Sequence, residues 1–371
     1  MPADRNADER FMRLALELAA KGGACTRPNP MVGAVVVSGG EVVGRGYHQR
    51  AGAPHAEAEA IREAGERSRG GTIYVTLEPC CHTDKRTPPC VETIIKSGIA
   101  RVVYGADDPN PKVCGRGCRM LRQAGIEVES RVLLKETETL NEVYRKYMTT
   151  GRPFVTLKLA MSLDGRIATK SGESRGLSCP ESLERVHRMR LESEAVLVGA
   201  DTVAADDPEL TVRLVENPEK RQPTRFVVDS TLRTALDRKI WDQSAAKTVL
   251  ATTSRADEGK LKELDKREIE VWTIDADTEG RVDLEKLVRK MGLHEYYTLL
   301  VEGGGRVAAS MLGAGLVDKI SFFYAPRLIG GDGVPSCAGM KTDTLGKALS
   351  VKEITYNNIG ADLLVEARIG H

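Results

Sequence analysis

The residues best equipped for chemistry lie in the first third of the chain: His55-Ala56-Glu57, then Pro79-Cys80, then Cys90 closing Thr87-Pro88-Pro89-Cys90. One imidazole and two thiolates make a tetrahedral zinc set whose fourth position stays open, and a neighbouring acid that is not a ligand completes the equipment for hydrolytic deamination of a nitrogen heterocycle. Zinc makes hydroxide available near neutral pH; Glu57 is then the candidate to carry a proton to the ring nitrogen and on to the departing ammonia. The spacing departs from the compact Pro-Cys-x-x-Cys form, because nine residues separate Cys80 from Cys90. Cys81 and His82 fall inside that interval and stay open as alternative ligands. A structural zinc, or plain buried thiols, is the bland reading of the same residues. Cys25, Cys114, Cys118, Cys179 and Cys337 have no comparable company and read as structural thiols.

These side chains need elements to hold them. Phe11, Leu14 and Leu18 recur at helical spacing over Asp8 to Lys21, with Gly22 as a stop. Met31 to Val37 and Glu41 to Tyr47 flank Ser38-Gly39-Gly40 and predict a hairpin. Helical stretches follow at His55 to Glu66, Val91 to Ser97, Gly115 to Ala124 and Leu133 to Thr150. They alternate with strands at Thr72 to Leu77, Arg101 to Tyr104 and Ile126 to Val128, which implies a sheet with helices packed on it. Gly151-Arg152-Pro153 breaks the pattern and sets a boundary, giving domains at 1–150 and 151–371.

Beyond Pro153 the alternation restarts. Strands are expected near Phe154 to Leu159, Ala195 to Val198, Arg225 to Val228, Thr248 to Thr252, Glu270 to Ile274, Thr298 to Val301 and Ile320 to Tyr324. Helices are expected at Pro180 to Glu192, Gly259 to Glu263, Asp283 to Met291 and Arg306 to Leu312, so the second domain is also α/β. Val301-Glu302-Gly303-Gly304-Gly305-Arg306 follows an apolar strand and opens a helix, where backbone N–H groups can hold a pyrophosphate; a tight turn is the alternative. A Rossmann reading is weak, since no acid stands about 20 residues onward.

Composition narrows the partners. Lys plus Arg total 54 against 53 Asp plus Glu, and aromatics make up 4% of the 371 residues, so neither a basic groove nor a stacking surface for nucleic acid is expected. No apolar run approaches the roughly 20 residues of a membrane helix. The polar start from Met1 to Arg10 is unlike a signal peptide, and a cytoplasmic enzyme acting on a small molecule is the expectation. Two rival readings remain at this level: a nucleic-acid deaminase with an accessory module, and a zinc-stapled scaffold without activity.

Taken with Pro28-Asn29-Pro30-Met31-Val32-Gly33, Leu77-Glu78-Pro79-Cys80 and Asp108-Pro109-Asn110-Pro111, the zinc residues resemble those of the bifunctional deaminase–reductase family of riboflavin biosynthesis. The resemblance continues through Lys158 to Gly165, Ser171 to Ser174, Asp206 to Arg213, Val301 to Gly304 and Ala325 to Gly330, nearly the whole chain. The long Cys-to-Cys loop ending in Pro-Pro belongs to this family. The resemblance implies a cytidine-deaminase-like three-layer domain followed by a dihydrofolate-reductase-like α/β domain. It also implies a phosphorylated pyrimidine substrate, Zn2+ and NADPH as cofactors, and a homo-oligomer that needs neither nucleic acid nor membrane.

By matching motif positions, His55, Cys80 and Cys90 ligate zinc, Glu57 shuttles the proton and Asn29 orients the pyrimidine. Ala160, Gly176, Thr202, Asp206, Ser230, Gly304, Gly305 and Arg306 fall along the nicotinamide cofactor. Ser174, Leu210 and Glu302 fall by the substrate, with Arg190 and Arg213 as candidates for its phosphate. Arg255 is a candidate for a 2′-phosphate. One departure stands out: the family usually has a basic residue, Trp, an aliphatic residue and Thr after Gly-Glu-Ser, whereas this chain has Arg175-Gly176-Leu177-Ser178. The missing indole motivates an alternative in which the second domain binds nucleotide without reducing anything.

Overall fold

The computed structural model describes residues 5–81, 89–111 and 113–370. The chain divides into two compact units, Met1–Gly151 and Arg152–His371.

In the first unit the elements run α1 (Arg5–Ala20), β1 (Gly33–Ser38), β2 (Glu41–Tyr47), α2 (Ala56–Ala64), β3 (Thr72–Leu77), α3 (Cys90–Ser97), β4 (Arg101–Ala106), α4 (Arg116–Gln123), β5 (Glu127–Ser130), α5 (Leu134–Leu140) and α6 (Glu142–Thr150). The sheet order is β2-β1-β3-β4-β5: β1 pairs antiparallel with β2 and β3, and β3, β4 and β5 are parallel. Because successive strand side chains face opposite ways, Val35 and Val37 meet Phe11, Met12 and Ala15 of α1, while Ala34 and Val36 meet Ala56 and Ala60 of α2. Three layers result, α/β/α. Helix α2 lies almost on the backbone of β2, and a Cβ at Gly46 would come within 2.3 Å of Ala56 O. Any larger residue there would push the helix start, and the side chains it carries, off the sheet.

The stretch expected as one helix from Leu133 to Thr150 is two. Asn141 separates α5 from α6, its Oδ1 accepting from Met31 N (2.8 Å) and its Nδ2 donating to Met31 O (2.9 Å). A distant peptide thus draws on a side chain in mid-helix, which no local pattern announces.

The second unit continues with β6 (Phe154–Ser162), β7 (Arg166–Ala168), α7 (Pro180–Glu192), β8 (Ala195–Gly199), α8 (Ala200–Asp206), β9 (Thr224–Val228), β10 (Thr248–Thr252), α9 (Glu258–Lys266), β11 (Glu270–Thr273), α10 (Leu284–Leu293), β12 (Thr298–Val301), α11 (Gly305–Gly313), β13 (Lys319–Ala325), β14 (Val334–Pro335), β15 (Val351–Ile359) and β16 (Asp362–Ile369). Nine strands form one sheet in the order β11-β10-β9-β8-β12-β6-β13-β16-β15. It is parallel from β11 to β13 and antiparallel at β16 and β15. Helix α8 and the hairpin of β15 and β16 were not expected from sequence. Among the described residues, no helix is long and apolar enough to cross a membrane.

Helix α1 is fastened by charge as well as packing. Arg101 grips Asp8 with two hydrogen bonds (2.7 and 2.9 Å), and Tyr74 OH donates to the same carboxylate (2.9 Å). Burial alone would raise the Asp8 pKa, but the guanidinium and the hydroxyl outweigh it and hold the pKa below the usual value. A depressed carboxylate pKa adds stability above the unfolded value of about 3.9, and that stability is lost as pH falls through the folded value. Asp8→Asn should therefore cost about 3 kcal/mol at pH 7 in denaturant melts. Its deficit relative to the wild type should shrink as the pH falls below 4; a deficit independent of pH would contradict the assignment.

Candidate active site

Three segments meet at the first site. His55 precedes α2 with extended backbone, and Glu57 sits in the first turn of that helix. Cys80 lies just beyond β3, and Cys90 opens α3. Val91 N donates to Cys80 O (3.2 Å) and Cys90 N to Cys80 Sγ (3.4 Å), so the first turn of α3 holds the Cys80 segment in place. His55 Nδ1 is then 3.1 Å from Cys90 Sγ and 3.6 Å from Cys80 Sγ, and the three ligand atoms lie within 4.8 Å of one another.

Around a tetrahedral zinc, with Zn–N about 2.0 Å and Zn–S about 2.3 Å, nitrogen and sulfur stand about 3.5 Å apart. The observed set is gathered to that spacing, and Cys81 is not part of it. His82 lies outside the described residues. Burial pushes the Glu57 carboxyl above its usual pKa, and a hydrogen bond with Cys80 together with burial pushes the Cys90 thiol up. Buried acids that resist ionisation are what a dication corrects, because its charge inverts the local preference and deprotonates thiols. The donor set fits zinc.

A cavity of about 440 Å³ opens over these residues. His48 Nδ1 lies 3.1 Å from Pro54 O and its Nε2 3.1 Å from Asn29 Nδ2. A carbonyl oxygen can only accept, so Nδ1 carries the proton and Nε2 accepts from the amide. Asn29 Oδ1 is left to receive a hydrogen bond from a ligand. Across the cavity, Asp108 accepts from Tyr144 OH (2.9 Å) and Asn110 N (2.9 Å). Burial and the Asp108 charge raise the Tyr144 pKa far above its usual value, so the phenol stays a donor. None of His48, Asp108, Asn110 and Tyr144 was assigned from sequence. Asp108 and Asn110 stood in the Asp-Pro-Asn-Pro motif, whereas Tyr144 and His48 carried no signal.

The second site gathers at the carboxyl ends of β6, β8 and β12. The chain passes from β6 to β8 and leaves room for β12 between them, a crossover that opens a crevice in parallel sheets. Arg190 grips Glu302 with Nε (2.6 Å) and Nη2 (2.9 Å) while its Nη1 donates to Thr211 O (3.1 Å). Burial would raise the Glu302 pKa, but Arg190 and Lys158 hold it below the usual range. Burial lowers the Lys158 pKa, with Glu302 and Asp206 opposing it. Sequence reading missed Lys158, although a lysine between Leu157 and Leu159 in a buried strand was a visible anomaly.

The other expected residues fall around this cluster. Ser174 OH donates to Asp206 Oδ1 (2.6 Å), Thr202 Oγ1 accepts from Gly304 N (2.9 Å), and Gly305 opens α11. Ala160 lies on β6, and Ser230 just past β9 accepts from Val282 N through its hydroxyl (3.0 Å). Leu210 is buried with a left-handed φ of 54°, an uncommon conformation for a non-glycine residue. His187 Nδ1 accepts from Arg213 N (3.0 Å); burial and then Arg190 and Arg213 pull its pKa down to about 4. Of the two arginines expected at a phosphate, Arg213 is half exposed and Arg190 is mostly buried against Glu302. Arg306 is exposed, 3.7 Å from Asp201, which Arg233 also contacts.

Known protein families match both units of the chain. A family model described as the cytidine and deoxycytidylate deaminase zinc-binding region matches residues 5–106, and the RibD C-terminal domain matches 153–365. The riboflavin biosynthesis protein RibD of Aquifex aeolicus is 42% identical over 361 residues, covering 97% of this chain and 98% of the relative. That of Escherichia coli is 42% identical over 372 residues, covering 96% and 98%. The chain belongs to the RibD family. Among solved structures, RibD of Acinetobacter baumannii superposes with a TM-score of 0.86 at 34% identity, covering 99% of this chain and all of the other. A Thermotoga maritima protein titled a diaminohydroxyphosphoribosylaminopyrimidine deaminase/5-amino-6-(5-phosphoribosylamino)uracil reductase gives 0.83 at 35%, with the same coverage.

As in RibD generally, a cytidine-deaminase-like unit that binds zinc precedes a dihydrofolate-reductase-like unit that uses NADPH. The departure at Gly176 has a backbone counterpart: its φ is 76°, a region where the Trp usual at this position would be strained. Cys90→Ser should reduce bound zinc from about one per chain to near zero by metal analysis. Glu57→Gln should keep the metal and lower ammonia release about 100- to 10,000-fold; an active Glu57→Gln enzyme would remove Glu57 from the chemistry.

Proposed function

We propose that residues 1–150 deaminate 2,5-diamino-6-(5-phosphoribosylamino)pyrimidin-4(3H)-one to 5-amino-6-(5-phosphoribosylamino)uracil, and that residues 151–371 reduce the ribose of that product to its ribityl form. The observation that carries the first half is the buried Glu57 carboxyl beside three zinc-ligating atoms at the base of a cavity of about 440 Å³. Zinc, when bound, supplies the Lewis acidity that makes hydroxide available at neutral pH. Glu57 takes a proton from the attacking water and passes it to the ring nitrogen, then moves the proton of the newly added hydroxyl to the amine as the C–N bond breaks, so that one water enters and one ammonia leaves. Asn29 Oδ1 receives a ring or amino N–H, and Asp108, held by Tyr144, accepts from the amino-bearing edge of the pyrimidine.

NADPH supplies the hydride in the second site. The expected cofactor-binding residues are Ala160, Gly176, Thr202, Asp206, Ser230, Gly304, Gly305 and Arg306, with Arg255 a candidate for the 2′-phosphate. On the substrate side, Glu302 accepts from sugar hydroxyls while Arg190 fixes its orientation, Ser174 and Leu210 border the sugar, and half-exposed Arg213 takes the phosphate. Lys158 is the candidate proton donor for the sugar oxygen as the ring opens, since burial lowers the pKa of its ammonium beside Glu302. The protein's main contribution is to hold two reactants in register.

We also propose a cytoplasmic homo-oligomer. Edge strand β15 is exposed along nearly its full length, with Ile354 55% and Tyr356 75% accessible, and a second copy of the chain is the partner that would cover this backbone edge.

Purified enzyme should release ammonia from the diamino substrate and then oxidise NADPH. Gly305→Val should abolish the second step and spare the first, because a Cβ at Gly305 would stand 2.3 Å from Pro335 O. Ammonia release without NADPH turnover by the wild type would favour a second unit that only binds nucleotide. Light scattering should give a multiple of the chain mass that Ile354→Lys lowers; a monomeric wild type would refute the assembly.

A further inference from the structure

Two stretches that carry the family resemblance, Lys158 to Gly165 and Ala325 to Gly330, end in residues that no step of the reduction uses. They meet in space. Ser162, the last residue of β6, lies beside Ala325, the last of β13, so the two chains leave the sheet together. Leu163 N then donates to Arg327 O (2.9 Å). Asp164 takes two further peptides: its Oδ1 accepts from Ile329 N (3.1 Å) and its Oδ2 from Gly330 N (2.7 Å), while Ser162 OH donates to Oδ1 (2.6 Å). The serine first, then the two peptides, hold the Asp164 pKa down at about 2, so the group is a carboxylate at neutral pH.

The segment fastened in this way runs on to the glycine turn of the second site. Val334 of β14 pairs with Ala168 of β7, and Ser336 N donates to Gly165 O (3.1 Å). The far end rests on the start of α11, where a Cβ at Gly305 would stand 2.3 Å from Pro335 O and 3.1 Å from Ala338 N. Residues 335–338 are therefore the backing against which the turn is set. A helix start opened by glycines, with its N–H groups turned outward, fits an anionic cofactor. Resting on the reading that the Gly303–Gly305 turn receives NADPH, we infer that Asp164 is a positioning residue for that cofactor: through Ile329 and Gly330 it keeps residues 335–338 seated on Gly305.

Packing alone does little for this stretch. From residue 326 to residue 332 every side chain except that of Ile329 is exposed, and Leu328 is 77% accessible. The ion pair of Lys170 with Asp332 (3.0 Å) is exposed at both ends, so it contributes little. Gly330, at a φ of 93°, and Gly331 add backbone freedom that something must remove. Two hydrogen bonds from peptide N–H groups to one ionised carboxylate are the strongest restraint here, stronger than neutral bonds of the same length. Without them a smaller fraction of molecules would hold the segment seated, and apparent cofactor affinity would fall with that fraction.

Full-length, zinc-loaded wild type, Asp164→Ala and Asp164→Asn should be compared by fluorescence titration with NADPH in the absence of substrate, by steady-state reduction and by amide hydrogen exchange over residues 326–338. Asp164→Ala should raise the Kd for NADPH about 10-fold and quicken exchange in that segment. Asp164→Asn keeps one acceptor oxygen and should fall between the two. At saturating NADPH, kcat and the KM for the pyrimidine should stay close to the wild-type values, and ammonia release by the first unit should be unchanged. An unchanged Kd in Asp164→Ala, or an equal loss of affinity for cofactor and pyrimidine, would overturn the inference and leave the reading of the turn intact. A Gly305→Val chain that binds NADPH as tightly as the wild type would overturn the reading of the turn, and the role of Asp164 with it.

Discussion

A single imidazole nitrogen and two sulfurs held within 4.8 Å, with a buried carboxyl beside them, set the terms for the whole first unit. Left to themselves these groups are an expensive arrangement, since burial disfavours every charge that the chemistry needs. A dication resolves the conflict and converts the same burial into an advantage, because its field acts in a space from which most water is excluded. The elements are arranged to meet that demand. Two helices begin at the ligands, His55 just before α2 and Cys90 at the first residue of α3, and helix N-termini favour thiolate over thiol. The close packing of α2 on Gly46 gives His55 and Glu57 a fixed platform.

How much of this could be read in advance depends on where the determining contacts lie. The gathering of His55, Cys80 and Cys90 was legible because residue types and spacing of that kind point directly to a shared ion. Strands β2, β3, β10 and β12 matched their predicted bounds because each is a compact run of β-forming residues bounded by turns. The break at Asn141 was not legible: its cause is a peptide at Met31, far away in sequence. Yet that contact fastens the segment holding Asn29 and sets the start of α6, the helix that brings Tyr144 to the cavity. The β15 hairpin escaped for the opposite reason. Sequence periodicity reports burial, and a strand exposed on both faces has none to report.

The second unit shows why motif residues and working geometry are not the same thing. Arg190 and Arg213 have equal claims on a phosphate when only their type is known, but the fold gives one of them to Glu302. That pairing is more than storage of charge. A bidentate guanidinium holds the carboxylate in one orientation and keeps it ionised despite burial, while Lys158 supplies a second positive charge nearby. Glu302 is thereby a fixed acceptor. Gly176 makes the complementary point, since its left-handed φ of 76° suits a residue without a Cβ, and the same substitution leaves this stretch without an indole.

Both sites obey one architectural rule. In the first unit Cys80 and Asp108 lie just past the carboxyl ends of the parallel strands β3 and β4; in the second, Glu302 and the Gly303–Gly305 turn lie just past β12, beside the ends of β6 and β8. Parallel strands deliver the chain to the same edge each time, and the helix that must return it begins there with unpaired N–H groups. That edge is consequently polar, concave and rigidly backed whatever side chains are installed. Thiols and an imidazole at such an edge collect a cation, whereas glycines at a helix start admit an anionic cofactor. The two chemistries of this chain therefore differ in the residues set at the strand ends far more than in the scaffold that carries them.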